Sequence, residues 1–582
     1  MPVPEPSVRP TPQPSFLRRL WRLSCIYWMS RDGGRGRLLL AGAIALEFGL
    51  VFGNVQLAQV QLQLGDALQQ RDAALFARGA LAFAGVATAI VLVAAYRVFI
   101  RQSLEMRWRR WLSDEYLSRW MSPDAFAQSE LSSGEIDNPD QRIAEDIRNY
   151  VASALGLSLS LLAAVASFVS FAGLLWSLSG NWPIPIGGHE YRIPGFMMWV
   201  AIVYSIVGMA ITHGVGRRLV PINFARLRVE ADFRFQLMRF RENVEAVGFA
   251  RGETLEHRNA LDRFGAVVRN WWQLIRAQRD LNLTRESVGQ LNGVVPLLVA
   301  APGFFLGRLT LGNLVQAQFA YGQVSGALTW LVNAYQEIAQ WRASIERLAT
   351  FIESIEANQA KLASAERVQV TADGGLKLVD LRLDLPDGEP LLTCPSASIE
   401  PGERVVLVGP SGSGKTTLFR AIAGMWPFGR GTIVMPPSSK ALFVPQRSYL
   451  PIGTLRAAAT YPAEETAFSD EKVREAFDLL GLGHLAEHLD ESAHWEQQLS
   501  GHEEQRLALV RALLHAPEWL FLDHATAALD DVMERQVYEV LARQLPRTAV
   551  LSVTSRPTVE RYHTRRWTVR STEAGPSLLE AA

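Results

Sequence analysis

Cysteine is nearly missing from this chain: its 582 residues include only Cys25 and Cys394. Two cysteines so far apart in sequence support neither a disulfide scaffold nor a cysteine-based zinc site. Net charge is missing as well. Lys and Arg total 58, Asp and Glu total 58, and the formal balance is zero. That argues against a nucleic-acid binder, because neutralising phosphates takes a basic surplus. Nor is a cleaved signal peptide expected, since Met1-Pro2-Val3-Pro4 opens a proline-rich stretch without an early apolar core. Charged residues are held to 20% while hydrophobic residues reach 48% and mean hydropathy is +0.06. This average is high for a wholly soluble protein and low for a wholly membrane one, and it predicts two solvents along one chain.

A basic and aromatic stretch (Arg18, Arg19, Trp21, Arg22, Tyr27, Trp28) reads as an interfacial helix at a membrane surface. Six apolar runs follow: Leu38–Leu64, Leu75–Ile100, Val151–Leu178, Phe196–Thr212, Val288–Leu306 and Leu314–Tyr335. Each is close to the roughly 20 residues that cross a bilayer. Arginines gather on one set of flanks (Arg35, Arg37, Arg101, Arg107, Arg109, Arg110, Arg217, Arg218) and thin out on the other (Arg71, Arg192, Arg308). The basic set, and with it both termini, is expected on the cytoplasmic side. The connections Arg101–Tyr150 and Gly214–Ser287 are long, charged and helix-patterned, and are expected to extend into the cytoplasm. Beyond about Glu366 the apolar runs shorten to roughly 4–7 residues between Gly/Pro turns, the pattern of strands alternating with helices. The predicted organisation is a tail and interfacial helix over 1–35, a membrane α-helical bundle over 36–350, a linker over 351–365 and a soluble α/β domain over 366–582.

In that last domain Val405-Val406-Leu407-Val408 reads as a strand. It runs directly into Gly409-Pro410-Ser411-Gly412-Ser413-Gly414-Lys415-Thr416, followed by Thr417 and an apolar helix. G-x-x-x-x-G-K-T between a strand and a helix is the pattern of a P-loop. Its glycines let backbone N–H groups close around phosphate oxygens, its lysine reaches the β- and γ-phosphates, and its threonine hydroxyl ligates magnesium. A second strand, Trp519–Leu522, ends in Asp523, the acid expected as a second magnesium partner. Between the two, Leu499-Ser500-Gly501-His502-Glu503 opens a helix with Ser500 placed as its cap, a signal that alone means little.

In combination these residues resemble an ATP-binding cassette. Leu499–Glu503 resembles the family's signature sequence, Gln446 after Phe443-Val444-Pro445 resembles its Q-loop, and Ala527-Ala528-Leu529-Asp530 resembles its D-loop. Six spans ahead of one cassette resemble a half-transporter of the exporter architecture, in which two chains pair. In the membrane half, Glu230–Phe235 with Arg241-Glu242-Asn243, Asn138–Ile143, Ala300-Ala301-Pro302 and Tyr321–Val324 resemble YddA-type bacterial transporters. That group also includes SbmA/BacA-like peptide importers and the peroxisomal acyl-CoA half-transporters. The resemblance covers about Leu38 to Arg556. It implies a bacterial inner-membrane protein that holds ATP through Gly409, Ser411, Gly412, Ser413, Gly414, Lys415, Thr416, Thr417 and Gln446, with Leu385 where the family places an adenine-stacking aromatic. It further implies Mg2+ held by Thr416, Gln446 and Asp523, and Ser500 and Gly501 completing the site of a partner chain.

The pattern breaks at two positions. Where the family carries its catalytic glutamate, directly after Asp523, stands His524, and Leu551-Ser552-Val553-Thr554-Ser555-Arg556 puts Ser555 where the family carries its switch histidine. In the family the glutamate polarises the attacking water and the histidine contacts the γ-phosphate. Loss of a general base costs about 10²–10⁴-fold in rate. The resemblance then implies a chain that binds Mg-ATP, hydrolyses it poorly and lends its signature to a competent second half-transporter. Two alternatives stay open: a homodimer whose cassettes clamp ATP without hydrolysis while an ion gradient drives transport, and His524 acting as the base itself. His502, in place of a glycine of the signature, is a milder departure.

In the first span Glu47, Asn54 and Gln61 recur every seven residues, and the sixth span carries Gln316, Tyr321 and Gln323. Such residues either line a polar path or form a hydrogen-bonding seam between helices, and both readings stand. His484 and His488, four apart with no third ligand in sequence, read as a solvated helix face.

Overall fold

In lipid a spanning segment must satisfy its own backbone hydrogen bonds, and the apolar runs here do so as helices. The computed structural model describes residues 15–122, 127, 138–179, 184–186, 189–191, 193–364, 366–437, 440–554, 556–572 and 575–581. Contacts divide them into one unit of Met1–Leu117 with Asn138–Phe351 and a second of Ser118–Asp137 with Ile352–Ala582. The helices of the first half are α1 (Phe16–Met29), α2 (Gly33–Gln70), α3 (Ala73–Trp120), α4 (Ile147–Ser179, entered through a π-helical turn at Arg142–Asp146), α5 (Phe196–Gly216), α6 (Leu219–Glu242), α7 (Val244–Phe249), α8 (Glu253–Phe305) and α9 (Leu311–Ser364). Among the described residues, five helical stretches are long and apolar enough to cross a membrane: Gly33–Gln70, Ala73–Trp120, Pro139–Ser179, Phe196–Glu242 and Glu253–Phe305. They contain the first five expected spans. The sixth, Leu314–Tyr335, lies inside α9, where Gln316, Gln318, Gln323 and Asn333 dilute its hydropathy.

Residues 351–365 were expected as a linker, yet α9 continues unbroken to Ser364. The stretch 351–364 carries good helix formers (Ala, Glu, Gln, Lys, Leu) and buries Phe351, Ile352, Ile355 and Leu362 at helical spacing. The N-terminal α1 has two faces. It buries Leu23 and Tyr27, while Leu17, Trp21 and Met29 are exposed. Tyr27 stacks on Trp108 with ring centres 5.6 Å apart, and the hydroxyls of Ser24 and Tyr150 lie 2.8 Å apart. Nearby, the buried Asp146 of the π-helical turn takes a two-pronged bond from Arg347 of α9 (Nε 2.8 Å, Nη2 2.5 Å) and a third from Arg142 at 3.0 Å.

The second unit is built on ten strands: β1 (Gln369–Ala372), β2 (Leu376–Asp384), β3 (Pro390–Ile399), β4 (Arg404–Val408), β5 (Gly429–Met435), β6 (Ala441–Val444), β7 (Trp519–Asp523), β8 (Ala549–Val553), β9 (Arg565–Thr572) and β10 (Gly575–Ala581). They form one sheet in the order β1-β5-β2-β3-β10-β9-β4-β8-β7-β6. The segment β9-β4-β8-β7-β6 is parallel throughout. Every residue of β7 and β8 is buried, as continuous apolar runs covered on both faces must be. Alternation sends Leu520 and Leu522 into a core shared with α11 (Gly501–His515), whereas Trp519 and Phe521 enter a core with α10 (Lys415–Ile422). Phe521 stacks on Phe443 at 4.4 Å. Helix α12 (Asp531–Gln544) follows β7. With β4, β7 and β8 parallel and in neighbouring register, their carboxyl ends share one edge of the sheet, and the loops that leave them converge there.

Candidate functional site

The loop leaving β4 depends on glycine. Gly412 and Gly414 have φ of +79° and +89°, and a methyl group on Gly409 would stand 2.8 Å from the carbonyl oxygen of Val569. Gly414 caps α10, so the loop delivers its backbone N–H groups at a helix N-terminus. Lys415, the first residue of that helix, is buried and donates to Gly409 O at 2.9 Å and Pro410 O at 2.5 Å. Burial holds its ammonium below the ordinary lysine pKa, and Asp523 opposes that shift. Ser413 Oγ donates to Pro410 O at 2.9 Å. Ser411, Gly412 and Thr416 lie exposed, with Thr417 half-buried behind them.

Across the sheet edge, Thr416 Oγ1 stands 3.5 Å from Asp523 Oδ1 at the tip of β7. A hydroxyl and a carboxylate so placed form an oxygen donor pair that suits a hard cation such as Mg2+. His524 then turns the chain with φ of +50°, its N–H donating to Val553 O at 3.1 Å. The left-handed backbone and the bond to β8 fix the position from which the residue after Asp523 acts. Ser555 lies outside the described residues. The next histidine along the chain, His563, is no substitute for it: its ring is committed to Ser552 Oγ at 2.9 Å and Val559 O at 3.0 Å, and burial lowers its pKa.

Sequence reasoning did not find the network beneath this edge. Buried Glu534 of α12 accepts from Thr526 Oγ1 (2.7 Å) and Thr558 Oγ1 (3.1 Å), and Arg556 approaches it to 3.6 Å. Arg556 in turn donates to Leu529 O at 2.6 Å and Ala527 O at 3.1 Å, and Asp530 caps α12 through Val532 N and Met533 N. The stretch Ala527–Asp530 is thus held from two sides. The one signal in the sequence is the acid four residues after Asp530, an ordinary feature of a helix's first turn.

The signature residues stand elsewhere on the same unit. Leu499 is buried, Ser500 is the N-cap of α11, and Gly501 and His502 are exposed. Glu503 reaches back to Ser500, accepting from its N–H at 2.9 Å and its hydroxyl at 2.5 Å, while His484 Nε2 lies 3.0 Å from the other carboxylate oxygen. Both histidines of the expected solvated pair are exposed, and His488 faces its own partner, Glu491, at 2.8 Å. Ser500's hydroxyl and N–H together hold the Glu503 carboxyl down to about 2, against the drag of partial burial and with help from His484. A depressed carboxylate stabilises the fold fully above its ordinary value of 4.5 and loses that contribution as pH falls toward about 2. The melting-temperature gap between the protein and Glu503→Gln should therefore be constant from neutral pH down to 4.5 and close below it. A gap unaffected by acid would contradict this assignment.

Two other residues complete the placement. Gln446 is exposed after β6, and its carbonyl accepts from Gln505 Nε2 at 3.4 Å, while Gln505 Oε1 accepts from Ala528 N at 2.8 Å. Leu385 sits in a turn closed by Leu385 N to Glu389 O at 2.7 Å and is about one-third exposed, at 36%. Among the described residues no hydrogen bond joins Ser500 or Gly501 to the P-loop.

In the membrane half, Glu47 is 5% exposed and pairs with Arg97 of α3 at 3.0 Å, so its carboxylate already has a partner. Gln316 and Tyr321 are buried on α9, while Asn54, Gln61 and Gln323 are half-buried.

Comparison with known proteins places both halves. Residues 25–305 match the family described as ABC transporter transmembrane region 2, and residues 392–527 match the ABC transporter family. The chain is 29% identical to the inner membrane ABC transporter ATP-binding protein YddA of Escherichia coli, over 92% of this chain and 94% of that one. It is 30% identical to ABC transporter D family member 2, chloroplastic, of Arabidopsis thaliana, over 97% of this chain and 88% of the relative. Its fold matches that of a bacterial Atm1-family ABC exporter with ATP bound, with a TM-score of 0.62 at 17% identity, covering 91% of this chain and 93% of the other.

Proposed function

The chain belongs to the ABC transporters, on the branch of half-transporters that includes YddA and the D-family proteins, and from that membership we propose that it is the ATP-binding but hydrolytically weak half of a heterodimer. Half-transporters of this kind work as dimers in a membrane. In the proposed complex the basic flanks, both termini and the cassette lie on the cytoplasmic side of an inner membrane. Gly409–Thr417 cradles the phosphates of ATP, and Thr416 and Asp523 hold Mg2+ with Gln446 nearby. The ammonium of Lys415, now bonded to carbonyls of its own loop, exchanges them for phosphate oxygens. Bound Mg2+ supplies charge neutralisation across the β- and γ-phosphates. Ser500 and Gly501, exposed at the start of α11, complete the partner's site.

One observation carries the reading: the residue that leaves Asp523 in a fixed left-handed turn is His524, so no carboxylate stands where an attacking water would be polarised. The asymmetry points the same way, since the signature end is capped and ordered while the catalytic end lacks its base. The purified chain should hydrolyse ATP slowly, and co-purification with its native partner should restore turnover. Fast turnover by the isolated chain, abolished by Lys415→Ala, would sink the proposal. Binding is tested separately: Lys415→Ala removes a charged hydrogen-bond donor and should weaken ATP affinity about 10–100-fold in a fluorescent-nucleotide titration. Unchanged affinity would take Lys415 out of the site.

A further inference from the structure

Where α2 ends and α9 begins, two helices of the membrane unit cross with almost nothing between them. A methyl group on Gly65 would lie 2.5 Å from Cα of Gly312, and one on Gly312 would overlap Leu62 O and Asp66 Oδ1. Backbones come this close only where both residues lack a side chain. The same crossing carries two polar anchors. Gln69 Oε1 accepts from Leu311 N at 2.7 Å and Asp66 Oδ1 accepts from Gly312 N at 3.2 Å, occupying donors that a helix start leaves unpaired. Asn313 Oδ1 closes the turn by accepting from Thr310 N at 3.0 Å. Glycine contact and side-chain anchors together make a clasp.

Behind the clasp lies polarity without partners. Ala58 of α2 shares a core cluster with Ala317, Ala320 and Tyr321 of α9, so the two helices stay together beyond the crossing. Four residues back from Gly65 comes Gln61, and four on from Gly312 comes Gln316, each on the face of its helix that meets at the crossing. Gln316 is 5% exposed and Tyr321 is 2% exposed. Among the described residues, Gln61 Oε1 and Tyr321 Oη are buried with no hydrogen-bond partner. Buried polar groups left unpaired are costly, and inside a membrane they mark places where something else supplies the bond. The carboxylate of Glu47 in the same span is closed off by Arg97 and that of Asp66 is bonded to Gly312 N in the clasp, which leaves Gln61, Gln316 and Tyr321 as the uncharged polar groups behind it.

We propose that α2 and α9 line the cargo route, that Gln61, Gln316 and Tyr321 hold an uncharged, hydrogen-bonding solute, and that the Gly65–Gly312 clasp with Asp66 and Gln69 is the outer seal over them. The proposal rests on the transporter reading. Neutral amides and a phenol can replace the water around a neutral polar solute, whereas an ion would enter this seam stripped of its hydration and unpaired.

The test uses the full-length chain in right-side-out vesicles, with Cys25→Ser. Cys394 stays, because burial pushes its thiol up to about 11 and a thiol so protonated does not react. Gln61→Cys reports on the seam, and Leu68→Cys, at a position 58% exposed on the same helix, is the control. Neutral 2-hydroxyethyl and cationic 2-trimethylammonioethyl methanethiosulfonates are applied from outside. Asp66→Ala should raise the rate of neutral modification at Gln61→Cys about tenfold, the effect of losing one charged hydrogen bond. The cationic reagent should lag, and Leu68→Cys should not change. Asp66→Asn keeps an acceptor oxygen and should keep the slow rate. If Asp66→Ala fails to fold, Gln69→Ala removes the other anchor and serves the same comparison. Equal rates with and without the anchor, or equal rates for both reagents, overturn the proposal. Mg-ATP added inside the vesicles separates the two ideas. With the native partner in the same vesicles, a clasp effect with no response to ATP keeps the seal and sinks the ATP-driven transport reading, while a response to ATP with no clasp effect does the reverse.

Discussion

His524→Glu combined with Ser555→His should raise ATP hydrolysis by the isolated chain about 10²–10⁴-fold, the range a positioned general base supplies. The scaffold for that gain is already in place. Asp523 ends a fully buried strand and stands beside Thr416, Lys415 is seated, and the backbone at 524 is fixed by its bond to Val553. The left-handed φ of +50° at 524 is uncommon for any residue but glycine and suits histidine better than glutamate, so the exchange carries a small backbone cost that the gain must exceed. The gain should disappear again when Lys415→Ala is added, measured by phosphate release from the purified protein. Turnover that stays low in the double variant, with ATP binding intact, would mean that the defect extends beyond these two positions. A large gain from Ser555→His alone would instead identify His524 as the working base.

Asp146→Asn should be the most damaging single substitution in the membrane unit. The carboxylate is 3% exposed and accepts from two guanidinium groups, Arg347 by two prongs and Arg142 by one. Removing one partner of a buried ion pair costs about 3–5 kcal/mol, because the remaining charges stay where they are. Arg347 is itself 40% exposed, so water recovers part of that loss and the low end is expected. At roughly 2 °C per kcal/mol, the first unfolding transition of the detergent-solubilised protein should fall by about 6 °C. Adding Arg347→Gln should restore part of the loss, as a coupled pair requires. A transition unmoved by Asp146→Asn would show the triad to be idle.

Much of this was legible in the sequence because the relevant signals are local. All six apolar runs became helices, five of them both long and apolar enough to span, and Val405–Val408 and Trp519–Leu522 became β4 and β7, since a buried parallel strand has no alternative to a continuous apolar run. The P-loop was legible through its spacing alone. Long-range pairings were not. Glu47 gave no sign that Arg97, fifty residues on, would take its carboxylate, and His484 and His488 looked like a pair until folding gave each its own glutamate. The helix that runs through 351–364 was missed for a different reason. A change of solvent along the chain was taken as a change of structure, whereas a helix of strong formers carries on from one to the other.

Gln505 gives the cassette an internal linkage. Its one amide group touches the carbonyl of Gln446 on one side and the N–H of Ala528 on the other, and it belongs to the same helix that Ser500 caps. In the proposed heterodimer, a shift of the loop at Gln446 would reach Ala528 and the helix capped by Ser500 through this single side chain. Occupancy of a slowly hydrolysing site would then still bear on the timing of the reaction at the partner's site.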